Sequence, residues 1–200
     1  MLCMPTQKHS NIQDPKQLRA LAHPLRWKII DLLTVHGQST ATKCAEALGE
    51  SVANCSYHLN TLAKYGYVEQ APGGQGREKP WRIASTEQSW DVNGVNADPE
   101  SAAAGQAATE AFLDFEATRM KSALRRSPSE PEEWRKANGF SATLAFVTPE
   151  ELKELRSELQ ALLQRYNDRF ENAELRPEGH RAVRLFLAST LADTPDKEGD

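Results

Sequence analysis

Small and polar side chains recur on one face of the segment that follows Gly49 and Glu50. Asn and Ser exchange hydrogen bonds with base edges, Tyr and Lys reach phosphate groups, and small residues allow a helix to enter a major groove deeply. The residues concerned are Ser51, Ala53, Asn54, Ser56, Tyr57, Asn60 and Lys64. On a helix, this face is suited to contact with a double-stranded nucleic acid.

A second set of candidates lies in and just after the glycine-rich stretch Gly73–Gly76. Arg77 and Lys79 stand next to these glycines, which let a backbone approach phosphates closely or enter a minor groove. The stretch is not a phosphate-binding loop of the enzyme type, because a predicted strand follows it and no helix N-terminus awaits the phosphate.

Several helices and a hairpin must hold these side chains in place. Capping residues and apolar spacing predict helices that begin at Asp14 and at His23-Pro24 and that run over Thr40–Leu48 and Ser51–Lys64. In the last of these, Cys55, Leu59 and Leu62 recur at i, i+4 and i+7 and form the buried face. Strands over 67–71 and 79–84 form a hairpin with a glycine-rich tip. This order of elements predicts a winged helix-turn-helix.

The charge of the chain is divided between its two halves. Residues 1–86 contain ten Lys and Arg against six Asp and Glu, and residues 87–200 contain 14 against 22. The positive half favours binding to a polyanion, which the overall pI of about 5.8 conceals.

We also expect a cytoplasmic protein that does not enter a membrane. No stretch approaches the roughly 18 apolar residues of a membrane span, and the first residues lack the pattern of a signal peptide. The three cysteines form no disulfide framework, which favours a reducing compartment.

A long helix is predicted after a polar linker, from Asp98-Pro99 to Arg126. Its apolar residues lie on more than one side of the helix, and packing against a single partner would bury only one side. We therefore predict that the remaining apolar residues form a homodimer interface. The interface residues are Phe112, Leu113, Phe115, Met120 and Leu124.

The C-terminal segment predicts a strand, a helix and a strand. Strands are expected over Ser141–Thr148 and Ala182–Ser189, and a capping box at Thr148–Glu151 opens the helix between them. The apolar stripe over Leu152–Phe170 is interpreted as a face packed on these strands or on a dimer partner, with a coiled-coil seam as the alternative.

Neither a metal site nor a catalytic site is expected. Cys44, Cys55 and His58 lack metal-ligand spacing, and a free cysteine among leucines behaves as a small hydrophobe. Cys3 and His9 lie in a predicted tail. His58 is interpreted as a packing residue, with DNA contact or pH sensing as the alternative. No pairing of nucleophile and base appears, so we expect no cofactor and no enzymatic activity.

Four motifs together carry a family resemblance. They are Leu21-Ala22-His23-Pro24-Leu25-Arg26, Ala45-Glu46-Ala47-Leu48-Gly49, Ser56-Tyr57-His58-Leu59-Asn60-Thr61-Leu62 and Gly76-Arg77-Glu78-Lys79-Pro80-Trp81-Arg82. Over about residues 14–85 the chain resembles ArsR-type helix-turn-helix transcriptional regulators. The resemblance implies a dimeric, sequence-specific DNA-binding protein, usually a repressor, and the remainder resembles the C-terminal extension of a metal-independent branch.

The sequence thus predicts a mainly helical α+β protein. The expected parts are a tail (1–13), a winged helix-turn-helix domain (14–85), a linker (86–97), a helical dimerisation and C-terminal unit (98–190) and an acidic tail (191–200). The expected function is transcriptional regulation on a palindromic operator; the alternative is a winged helix that binds protein. If a small molecule regulates the protein, the gap between the long helix and the 141–189 unit is its expected place.

Overall fold

The computed structural model describes residues 10–12, 14–73, 79–84, 88–90 and 98–192. The chain divides into two compact units, residues 1–128 and 129–200. The first contains β1 (Ser10–Ile12), α1 (Pro15–Leu21), α2 (Pro24–His36), α3 (Ala41–Leu48), α4 (Val52–Lys64), β2 (Val68–Gln70), β3 (Trp81–Ile83), β4 (Gln88–Trp90) and α5 (Pro99–Arg126). The second contains α6 (Glu132–Ala137), α7 (Pro149–Gln164) and α8 (Asp168–Glu171). This mainly helical order, with a small hairpin and then a long helix, confirms the predicted fold class.

The first four helices begin at the capping residues that the sequence predicts. The side chains of Asp14, Thr40 and Ser51 accept hydrogen bonds from backbone N–H groups in the first turns of α1, α3 and α4. His23 Nδ1 does the same for α2. These bonds satisfy N–H groups that have no partner within the helix. Between α3 and α4, Gly49 has a φ of +68°, in the left-handed region that other residues enter at a cost, so the turn is tight.

One hydrophobic core joins α1 to α4, the hairpin and α5. Its fully buried members include Leu21, Ile29, Leu33, Cys44, Cys55, Leu59, Leu62 and Val68. Helix α5 packs on α1 and α2 through buried Ala104 and Ala108, and the ring of Phe112 lies 4.7 Å from that of Trp27. Because burying one leucine side chain stabilises a fold by about 1.5–3 kcal/mol, this core holds α4 firmly in place.

The predicted hairpin is present as β2 and β3, which pair antiparallel. Val68 lies opposite Ile83, and Gln70 lies opposite Trp81. Trp81 also exchanges two backbone hydrogen bonds with Ser39, of 2.9 and 2.8 Å. The base of the hairpin is therefore fastened to the loop that leads into α3.

Two further strands lie in the segments predicted to be a tail and a linker. β1 and β4 pair in parallel, with Ser10 opposite Gln88 and Ile12 opposite Trp90. Strands of three residues are too short for alternation to reveal them. Helix α5 begins after the N-cap Asp98, as predicted.

In the second unit the helix is confirmed, but the two strands predicted over Ser141–Thr148 and Ala182–Ser189 are wrong. The structure assigns no strand to either segment. Alternating apolar residues meet one condition for a strand, but a strand also needs a hydrogen-bonded neighbour, and the described residues supply none. The capping box is present: Thr148 Oγ1 accepts from the Glu151 N–H at 3.2 Å, and Glu151 Oε2 accepts from the Thr148 N–H at 2.7 Å. Among the described helices, none is long and apolar enough to span a membrane.

Candidate nucleic-acid interface

Helix α4 turns one face into the core and the other toward solvent. Its buried residues are Cys55, His58, Leu59 and Leu62, and three of them follow the predicted spacing. Of the residues predicted to contact nucleic acid, Asn54 and Ser56 are half-buried, and the exposed ones are Ser51, Ala53, Tyr57, Asn60 and Lys64. The structure thus places all seven on the accessible part of one helix and its N-cap.

Two amides on this outer face bond to residues one turn earlier. Asn54 Nδ2 donates to Glu50 Oε2 at 2.9 Å, and Asn60 Nδ2 donates to the Ser56 carbonyl at 2.8 Å. Tyr57 is 63% exposed. Since exposed hydrogen bonds contribute only about 1 kcal/mol each, these amides can exchange their present partners for base edges.

Arg26 of α2 holds the inner side of α4 in place, a role not predicted from the sequence. Its Nη1 atom donates to the Ala20 carbonyl at 2.7 Å, and its Nε atom donates to His58 Nδ1 at 3.2 Å. The second bond joins positions that are 32 residues apart, so no local spacing could reveal it. The one sequence feature that could have drawn attention to Arg26 is its place in the motif that begins at Leu21.

The neighbours of His58 favour its neutral form. Because its Nδ1 atom accepts a hydrogen bond, the neutral ring carries its proton on Nε2. Burial lowers the pKa of His58, and the neighbouring His23 and Arg26 lower it further. The His23 and His58 ring centroids are 4.4 Å apart. With only 3% of its surface exposed, His58 serves here as a packing residue that links α2 and α4.

The wing is described at its base and in part at its tip. Lys79 is exposed, as contact with phosphates requires. Arg77 lies outside the described residues, so its contact stays a prediction. On the same hairpin, Arg82 Nη2 lies 2.6 Å from Glu69 Oε1 in an exposed ion pair.

The two described cysteines are free and completely buried. Burial raises the pKa of both the Cys44 and the Cys55 thiols. Thiols, unlike thiolates, are poor metal ligands, so this position suits packing. The described residues contain no group of three His, Cys, Asp or Glu that could hold a metal ion. That the protein needs no metal stays a prediction.

The residues predicted to form a dimer interface divide between two sides of α5. Phe112 and Phe115 face Trp27 of the same chain, with ring centroids 4.7 and 6.5 Å apart. Leu113 and Leu124 are 45% and 52% exposed, and Met120 is half-buried. Residues 113, 120 and 124 are seven and four positions apart, so they form one stripe on the helix.

Comparison with known proteins finds a family match within the first unit. Residues 21–71 match the family model of a helix-turn-helix domain. No curated protein matches the chain. Similar solved structures include the E41A mutant of Lactococcus lactis ZitR, at 14% identity over 83% of this chain and 82% of that chain, with a TM-score of 0.26. They also include the C30AH42A mutant, at 13% identity over 83% and 84%, with the same TM-score. Residues 21–71 thus form a helix-turn-helix domain, the element with which many transcription regulators bind DNA.

Proposed function

We propose that this helix-turn-helix protein is a transcriptional regulator of the ArsR type, a homodimeric repressor that binds a palindromic operator. The observation that carries the proposal is the outer face of α4, where small and polar side chains stay accessible directly after the tight turn at Gly49. In helix-turn-helix proteins, the helix in this position enters the major groove.

In the proposed complex, α4 reads bases and the wing holds the backbone. Asn54, Ser56 and Tyr57 face the base edges, whereas Arg77 and Lys79 bind phosphates without selecting sequence. Because a base-reading amide discriminates between base pairs, Asn54→Ala is expected to reduce operator affinity by about 1–3 kcal/mol and to change the preferred base at one position.

Selection of bound sites from random DNA tests the proposal directly. We expect a site with two half-sites about one helical turn apart, bound with an affinity that falls steeply with salt because phosphate contacts release counterions. Unselective recovery of DNA would overturn the proposal. It would favour the alternative, a winged helix that binds protein.

The homodimer is proposed to form through α5. Phe112 and Phe115 hold the helix on its own core, which leaves the stripe of Leu113, Met120 and Leu124 to meet the partner. An exposed apolar stripe beside a filled core face is typical of such an interface. Two copies related by a two-fold axis then present two recognition helices to a palindrome.

Charge reversal on this stripe tests the interface. A Leu113→Glu, Leu124→Glu double variant is expected to sediment as a monomer and to lose cooperative binding to the full site, because buried carboxylates oppose association. Thr118→Glu, an exposed position of α5 outside the stripe, is the control. A double variant that keeps the mass of the unmodified protein would contradict the assignment.

A small-molecule effector remains part of the proposal. Within the first unit, a cavity of about 280 Å³ lies among α2, α3 and α5, beside Leu32, Leu48 and Phe115. Its volume is near the lower limit for a ligand pocket.

A further inference from the structure

The cavity among α2, α3 and α5 has an apolar side and a charged side. Its apolar side is formed by Leu32 of α2, Leu48 of α3 and Phe115 of α5. Leu32 is buried, and the other two side chains are half-buried. The volume of about 280 Å³ equals that of roughly nine water molecules, at about 30 Å³ each. The space therefore suits a compact organic molecule.

The charged side of the cavity comes from α2, where Lys28, Asp31 and His36 line it. Lys28 and His36 are exposed, and within the described part of the chain neither has a hydrogen bond or an ion pair. Asp31 is half-buried and already interacts with a neighbouring group. The groups available to a ligand are therefore an ammonium and an imidazole, both of which supply N–H donors. Such donors suit a carboxylate.

The cavity also lies between two elements that matter for DNA binding. Leu48 is the last residue of α3 and precedes the tight turn at Gly49 that leads into α4. Phe115 belongs to α5, and its ring centroid lies 6.5 Å from that of Trp27. A molecule held between Leu48 and Phe115 therefore touches both the helix before the recognition helix and the helix that is proposed to join two copies.

We propose that this cavity is the effector site of the regulator and that it binds a small carboxylic acid with a compact apolar body. The apolar body packs against Leu32, Leu48 and Phe115, and the carboxylate accepts hydrogen bonds from Lys28 and His36. The regulatory role rests on the proposed function, because it needs a dimer whose two recognition helices read one operator. Since α3 and α5 must fit around the ligand, its binding shifts the spacing of these helices and weakens operator binding.

Calorimetric titration of the full-length protein with benzoate tests the site. Benzamide and benzylamine are the matched neutral and cationic probes. For a probe of about nine non-hydrogen atoms we expect a dissociation constant of roughly 0.1–1 mM. Benzoate should bind about fivefold more tightly than benzamide, because hydrogen bonds to an ionised acceptor are the stronger ones.

Two substitutions assign the binding to the cavity. Lys28→Gln removes the ammonium, so it should weaken benzoate binding about fivefold and leave benzamide binding unchanged. Ala47→Leu, at an exposed lining position of α3, fills the space and should abolish binding of both probes. Lys121→Gln, at an exposed position of α5 outside the cavity lining, is the control and should bind benzoate as the unmodified protein does.

Several results would overturn the site. Benzoate binding that Lys28→Gln leaves unchanged would contradict the carboxylate assignment, and so would tighter binding of benzylamine. Benzoate binding that persists in Ala47→Leu would place the probe outside the cavity. Absence of saturable benzoate binding up to about 10 mM would also overturn the site. Because Lys28 is exposed, Lys28→Gln keeps the test decisive even if Ala47→Leu does not fold.

Operator titrations with and without saturating benzoate test the regulatory role. We expect benzoate to weaken operator binding about five- to tenfold and the operator to weaken benzoate binding by the same factor, because the coupling of two sites is reciprocal. Ala47→Leu should bind the operator equally with and without benzoate. Unchanged operator affinity at saturating benzoate would overturn the effector role.

The same measurements separate this inference from the proposed function. If the protein binds its operator but not benzoate, the carboxylate site is wrong and the proposed function stands. If it binds benzoate through Lys28 but binds no DNA, the proposed function is wrong and the carboxylate site stands.

Discussion

Replacing Glu50 with Gln should strengthen DNA binding. Glu50 precedes the N-cap of α4, and its Oε2 atom accepts a hydrogen bond from Asn54 Nδ2 at 2.9 Å. The carboxylate therefore holds, through a hydrogen bond, the Asn54 amide that is proposed to read a base. It also places a negative charge at the end of α4 that is proposed to approach phosphates. Glutamine keeps the size of the side chain and an acceptor oxygen but removes the charge.

Two contributions determine the size of the effect. A carboxylate about 8 Å from a phosphate is repelled by roughly 0.5 kcal/mol in water, and salt reduces this repulsion. A weaker hydrogen bond lowers the free energy needed to turn Asn54 toward a base by about 0.5 kcal/mol. The total of about 1 kcal/mol corresponds to roughly fivefold tighter binding. Loss of negative charge before α4 lowers the free energy of unfolding by about 0.3–1 kcal/mol.

Fluorescence anisotropy with the selected operator, between about 50 and 200 mM salt, measures the change. Glu110→Gln on α5 is a matched control, because Glu110 is also exposed and accepts an amide hydrogen bond, from Gln106, at 2.9 Å. Only Glu50→Gln is expected to gain affinity. Weaker binding would refute the reasoning, since the carboxylate would then accept a hydrogen bond from a cytosine amino group. Equal gains in both variants would mean that net charge alone matters.

Four further predictions concern the wing, metals, pH and the turn. Lys79→Ala should weaken binding to all DNA sequences about equally and reduce the slope of log K against log salt by about one, measured by titration. Protein purified without chelator should contain no stoichiometric transition metal by elemental analysis, and a Cys44→Ser, Cys55→Ser variant that folds should bind the operator with and without zinc. The pKa of His58 is lowered from its ordinary value, so the stability that its neutral form contributes is complete above about pH 6.5 and is lost as the pH falls through the folded-state pKa. In urea unfolding, the free energy of unfolding of His58→Gln should therefore fall less steeply in acid than that of the unmodified protein. Gly49→Ala should lower the free energy of unfolding by about 1 kcal/mol through backbone strain alone, since no atom lies within 4 Å of the added Cβ.

The parts of the fold that could be predicted depend on neighbours in sequence. Ser51 caps α4 and Gly49 turns the chain because each acts on groups a few residues away. The buried positions of Cys55 and Leu59 follow from helical spacing alone. Such local rules located the helix that presents the candidate interface.

The parts that could not be predicted depend on contacts between distant residues. The bond from Arg26 to His58 exists only once α2 and α4 have packed. The surplus of apolar residues on α5 was visible in sequence, but only the packing on Trp27 distinguishes Phe112 from Leu113. Strand pairing is likewise non-local, which is why alternation over Ser141–Thr148 was misleading.

The two backbone bonds between Ser39 and Trp81 bear on how protein and DNA adapt to one another. They join the base of the wing to the loop before α3, so the spacing between the wing base and the recognition helix is set during folding. The conformational entropy lost in fixing that spacing is lost during folding, so binding to DNA does not incur this loss a second time. An operator whose grooves do not match this spacing must bend or twist to fit. Deformability of the DNA at positions that no side chain touches should therefore contribute to operator choice.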